Sequence, residues 1–192
     1  MANRSYLYAT NELAQDKNRD TIQISGVAEC NYDIPVLFRA MCSFNPSVVH
    51  SIIWLDYKAA ISGEFDGGLE FTVQFLKKLS ETEFKKKKLI TQEAFERFQN
   101  FFENLKGKNS HFILECLELY EMDAETEEEF PIMAERDIAL VLKTRDQIQH
   151  FMNTGELDDG IYEELLRYKD YNCCIDFLSP YLYFDFSEEV EE

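Results

Sequence analysis

Three histidines and five cysteines are the residues best suited to specific chemistry here, and their spacing argues against most of it. His50, His111 and His150 lie too far apart for a local metal motif, and no H-E-x-x-H occurs. Cys30, Cys42, Cys116, Cys173 and Cys174 make an odd count with no C-x-x-C. The adjacent pair Cys173 and Cys174 does not easily close an ordinary disulfide, while Cys42 and Cys116 read as small core residues. No G-x-S-x-G elbow presents a serine nucleophile. Glycine numbers only seven, and neither G-x-G-x-x-G nor G-x-x-x-x-G-K-[ST] is present, so the loops that cradle phosphates are missing. No cofactor and no structural metal is expected.

Carboxylates are too numerous to pair into an acid–base dyad from sequence, but their placement is informative. Residues 1–60 carry a net charge of −1, residues 61–110 carry +1, and residues 111–192 carry the whole excess of −18. Such a half repels nucleic acid and attracts a basic protein partner. Its densest run, Glu125, Glu127, Glu128 and Glu129, reads as a loop by charge repulsion and as a candidate binding segment. Lys85–Lys88 runs opposite in sign, but Glu81 and Glu83 flank it and no aromatic residue interleaves it. It reads as a solvated loop, and no nucleic-acid partner is expected.

Aromatic residues supply a second candidate surface. Ser5-Tyr6-Leu7-Tyr8 near the start is echoed by Tyr181-Leu182-Tyr183-Phe184-Asp185-Phe186 near the end, and both stretches alternate. Alternation predicts two strands of one sheet, with Leu7 and Leu182 facing helices. Tyr6, Tyr8, Tyr181, Tyr183 and Asp185 would then share the opposite face, as a solvated edge or a polar, aromatic binding surface.

The elements that must position these residues follow from period and punctuation. After a strand over residues 1–10 and a polar loop from Asn11 to Asp20, Thr21–Val27 predicts a short strand. Asp33 and Pro35 predict a helix over residues 34–41, and Val49, Ile52, Ile53, Tyr57 and Ala60 predict another over 46–61. Asp66-Gly67-Gly68 reads as the break before a helix over 68–80. Ala94, Phe95, Phe98, Phe101, Phe102 and Leu105 form one stripe of a helix that starts after Thr91 and stops at Gly107. Residues 111–115 predict a strand, while period leaves 116–122 open between strand and helix. Pro131 opens a helix to Asn153, which a capping box at Thr144 and Gln147 would split, and 156–167 predicts a last helix.

The opening Met1-Ala2-Asn3-Arg4-Ser5-Tyr6-Leu7-Tyr8 and the later Asn31-Tyr32-Asp33-Ile34-Pro35 resemble the start of an uncharacterised bacterial domain family, as does Gly67-Gly68-Leu69. The likeness covers about the first seventy residues. It implies a bacterial, stand-alone protein and assigns no functional residue, and the acidic run at 125–129 departs from it.

The fold expected is α+β: a small, mainly antiparallel sheet including both chain termini, packed against five to seven helices. Residues 1–187 would form a single domain and 188–192 an acidic tail. An apolar share of 45% fills a sizeable core, and no window of the length a membrane span needs is apolar. A soluble protein of a reducing cytoplasm is the expectation, with no membrane partner. The favoured function is a non-enzymatic interaction protein whose acidic C-terminal half binds a basic partner, in the manner of immunity proteins. A hydrolase with a cleft on the sheet face, or an oligomerising module, are the alternatives.

Overall fold

Alternating side chains build a sheet with two unlike faces. The computed structural model describes residues 3–14, 21–84 and 88–186. Strands β1 (Arg4–Thr10), β2 (Ile24–Asn31), β3 (Ser47–Val49), β4 (Ala60–Glu64) and β5 (His111–Glu115) pair antiparallel in the order β2-β1-β5-β4-β3. Leu7, Ala9, Ile61, Phe112 and Leu114 point to one face, and Tyr6, Tyr8, Ala60 and Ile113 to the other. The N-terminal end of the chain thus supplies a central strand. The C-terminal end joins through one antiparallel bridge, Leu178 to Ala28, with the Ser179 N–H donating to the Val27 carbonyl at 2.9 Å.

Six α-helices are present among the described residues, α1 (Val36–Met41), α2 (Phe65–Glu81), α3 (Gln92–Glu103), α4 (Leu117–Asp123), α5 (Phe130–Thr154) and α6 (Asp159–Arg167). The class is α+β, as expected. The helical layer builds the larger core on the Leu7 face. The Phe stripe of α3 serves it: Phe98 and Phe102 are buried, and Phe102 meets Phe65 and Phe112. Thr91 caps α3 as its sequence suggests, its hydroxyl accepting from Ala94 N–H at 3.0 Å.

Four local expectations fail for identifiable reasons. Residues 46–61 are not a helix but β3, a turn and β4, because Asn45 takes a left-handed φ of 47° ahead of Pro46 and the β-branched Val48 and Val49 pair with Ile61 and Ala60. Gly67 and Gly68 do not precede α2 but sit in its first turn. There they permit close packing: a Cβ on Gly68 would lie 1.9 Å from the Met41 carbonyl oxygen. Thr144 does not split α5, because Met133, Ala134, Val141, Thr144, Ile148 and Phe151 make one continuous buried stripe. Residues 116–122, left open, are the helix α4.

The fourth failure concerns the chain end. Tyr181–Phe186 is not a strand but an irregular strap lying across the Tyr6 face. It arrives there from a 3₁₀ segment, Lys169–Phe177, in which Asn172, Cys173 and Cys174 take φ of 47°, 55° and 76° in succession. Non-glycine residues pay roughly 1–2 kcal/mol each for that left-handed conformation. Burial of both cysteines holds it, with the Cys173 thiol 3.6 Å from the Leu89 and Leu165 carbonyls. The 15–20 part of the expected polar loop, the Lys85–Lys87 part of the basic cluster and the acidic tail 188–192 lie outside the described residues.

Candidate functional site

The strap, rather than a pair of matched strands, closes the aromatic face of the sheet. Leu182 is buried there with Tyr6, Tyr8, Ile52 and Ile113. Phe184 meets Tyr6 and Trp54 edge-on at 5.4 and 5.2 Å, and Phe186 meets Tyr8 at 5.5 Å. The Tyr8 hydroxyl donates to the Phe184 carbonyl at 2.9 Å, and the Tyr183 N–H donates to Glu29 Oε2 at 2.8 Å. Leu182 therefore points the opposite way to Leu7, and the four Tyr rings do not share a face. Tyr6 and Tyr8 are buried, whereas Tyr181 and Tyr183 stand 73% and 58% exposed and Asp185 is exposed too.

Beneath the strap the polar groups are few and mostly paired. The Tyr6 hydroxyl donates to Glu118 Oε1 at 2.9 Å, and the Arg4 N–H donates to Oε2 at 2.8 Å. Arg4 also ion-pairs with Glu29 at 3.6 Å and stacks its guanidinium over Tyr183. Burial pushes both Tyr6 and Tyr8 hydroxyls well above their ordinary range, so neither is an accessible phenolate.

Glu115 is the exception. It closes β5 directly opposite Tyr6 on one side and Ala60 on the other, and it is fully buried. Its Oε1 accepts the Ile52 N–H at 2.6 Å, while Oε2 has no hydrogen-bond partner among the described residues. Burial pushes this carboxyl up to about 7, with Ile52, Ser51 and Ile53 pulling it part of the way back. Sequence reading missed it, since a glutamate ending a short strand looks solvated. The one signal was alternation, which puts Glu115 on the Ile113 side.

Between the strap, the β2 edge and the end of α3 lies a cavity of about 410 Å³, walled by apolar side chains such as Ile24, Phe101, Leu105 and Phe184. Its titratable lining is Tyr8, Tyr181 and Asp185, so three of the candidate residues meet there, and Glu115 does not reach it. Burial also raises all five thiols, Cys173 to about 12, which makes them poor nucleophiles. Among the described residues no three His, Cys, Asp or Glu side chains converge as a metal ion requires. None of their helices is long and apolar enough to cross a membrane.

The acidic candidates occupy a separate surface, where α4 turns into α5. Glu125, Glu127 and Glu128 are exposed and Glu129 half-buried, in a segment whose Glu127–Glu129 part is a 3₁₀ turn rather than a loop. Glu127 accepts from the Tyr57 hydroxyl at 2.9 Å. Glu121 and Asp123 extend the patch along α4, and two apolar side chains stand out within it, Met122 and Ile132, at 55% and 65% exposure. No described Lys or Arg lies within ion-pair distance of Glu121, Asp123, Glu125, Glu127, Glu128 or Glu129.

No curated protein and no solved structure matches the chain. A family pattern does match, over residues 11–157, a span that begins just past β1 and ends before α6 and the strap. Sheet and helical layer thus fall largely within it, and so do Glu115 and the acidic turn. By that match the chain belongs to the family described as Domain of unknown function (DUF7822).

Proposed function

We propose that the protein is a non-enzymatic interaction protein of the bacterial cytoplasm, binding a basic protein partner through the acidic surface of α4 and the start of α5. The observation that carries this reading is the exposed carboxylate patch without described cations, set around the exposed Met122 and Ile132. Apolar anchors inside a charged rim are how interfaces divide their labour, the anchors supplying affinity and the rim supplying steering. Neutralising the basic surface of a toxin-like partner, as immunity proteins do, fits this chemistry. The hydrolase alternative draws less support. Its cleft would be the cavity beside the strap, and Tyr8 is made a weaker acid there, not a stronger one.

Capture experiments with the purified chain test the reading. A basic partner should be retained at low salt, released as ionic strength rises towards about 0.5 M, and lost in the triple variant Glu125→Gln/Glu127→Gln/Glu128→Gln. Partners that survive high salt and show no basic bias would overturn it. So would a stable self-dimer in light scattering that buries Met122 and Ile132, which favours the oligomerising alternative.

A further inference from the structure

The turn facing Glu115 is built around two hydrogen-bond acceptors. Ser51 Oγ accepts the N–H groups of Ile53 and Trp54 at 3.1 and 2.8 Å, and Glu115 Oε1 accepts that of Ile52. Trp54 then reaches out to Phe184, which ties the turn to the strap. We propose that Glu115 is a proton-operated latch, whose neutral carboxyl keeps the Ser51–Leu55 turn and the strap closed over the sheet and whose ionisation loosens both.

Ile52, Ser51 and Ile53 all address the carboxyl from the turn, yet Oε2 makes no hydrogen bond among the described residues, and the strands on either side are fixed by their own ladders. A bare negative charge there needs water, and water can enter only by displacing the irregular covers, the turn or the strap. Among the described residues none of the surrounding titratable groups offers Glu115 a counter-charge. Tyr6 and Tyr8 on β1 and the neighbouring Cys116 thiol are all held neutral by burial. Glu29 on β2 and Asp185 on the strap add negative charge beside Tyr8, and Glu118 does so at the Tyr6 hydroxyl. Arg4, the cation nearest to Tyr6, is shared with Glu29 and Tyr183. His50, bonded through Nδ1 to the Leu55 carbonyl at 3.2 Å, and Asp56 stand at the ends of the turn.

The sign follows from the carboxyl being raised in the folded chain, from its ordinary 4.5 to about 7. The closed form has its full stability below the lower value and loses it progressively as pH rises through the higher one. Acidification closes the latch and mild alkali opens it.

Trp54 is the only tryptophan, so its emission reports on the turn without a label. Titrating the full chain from about pH 5 to about pH 9 should shift that emission to the red with a midpoint near 7. Glu115→Gln should abolish the transition, and His50→Gln, which removes the imidazole at the turn, should keep it. A flat wild-type titration, a transition that persists in Glu115→Gln, or one that vanishes in His50→Gln would each overturn the latch. If Glu115→Gln does not fold, hydrogen exchange of the wild-type Ile52 amide decides. Its protection factor should fall at least tenfold between about pH 5.5 and about pH 8, and an unchanged factor would overturn the proposal.

Discussion

One methyl group on Gly68 tests how closely α1 and α2 are set. Helix propensity favours alanine over glycine by about 1 kcal/mol. The new Cβ, however, would meet the Met41 carbonyl at 1.9 Å, and a backbone atom at the end of a fully buried helix has no room to retreat. Overpacking of this kind costs typically 1–3 kcal/mol and outweighs the propensity gain at so short a distance. Gly68→Ala should therefore lower the melting temperature by about 2–8 °C in a thermal scan, and an equal or higher value would refute the close approach. The same residue shows what sequence conceals. Gly67-Gly68 looks like punctuation, because nothing local reveals that Met41 and Phe44 lie against it. Glu115 is hidden likewise, since the turn that buries it is 63 residues away in the chain.

At the scale of elements, what was legible was whatever a single period could express. The Phe stripe of α3 and the opposed faces of β1 follow from spacing alone, and both are found where spacing puts them. The turn between β3 and β4 was not legible, because Val49, Ile52, Ile53 and Tyr57 imitate helical spacing while Ser51 and Glu115 bind the amides that a helix would have used. Alternation in the strap was real too, but it serves a coil that inserts Leu182, Phe184 and Phe186 into the sheet face without pairing its backbone to a neighbour strand. Removing residues 179–192 then takes away the burial of Leu182, Phe184 and Phe186, one buried and two half-buried apolar side chains, and leaves the Tyr8 hydroxyl without its acceptor. At about 1.5–3 kcal/mol for a fully buried side chain and about half that for the others, the loss is about 4 kcal/mol. The truncated chain should melt about 10 °C lower by circular dichroism. An unchanged transition would show that the strap clasps nothing.

At the scale of the whole molecule, the net charge of −18 sets a conflict between solubility and self-repulsion. Carboxylates in the described part of the acidic half are not equivalent in that conflict. Glu127, Glu128 and Glu129 precede α5, where the partial positive charge of the helix start welcomes them. Glu121 and Asp123 occupy the last turn of α4, where the dipole opposes them, and they flank the exposed Met122. A position that costs stability and has no ion pair among the described residues in return is what an interaction surface leaves behind. The double variant Glu121→Lys/Asp123→Lys relieves both the dipole clash and part of the global repulsion, taking the net charge to −14. It should gain about 1 kcal/mol, or roughly 2–4 °C, when thermal scans are run at low salt. That gain should shrink as added salt approaches about 0.15 M, where the screening length falls to about 8 Å. Capture of the basic partner should fall at the same time. A variant that is no more stable than the native chain would show that these carboxylates are well placed for folding, and would remove the reason for reading the α4 surface as one kept for binding.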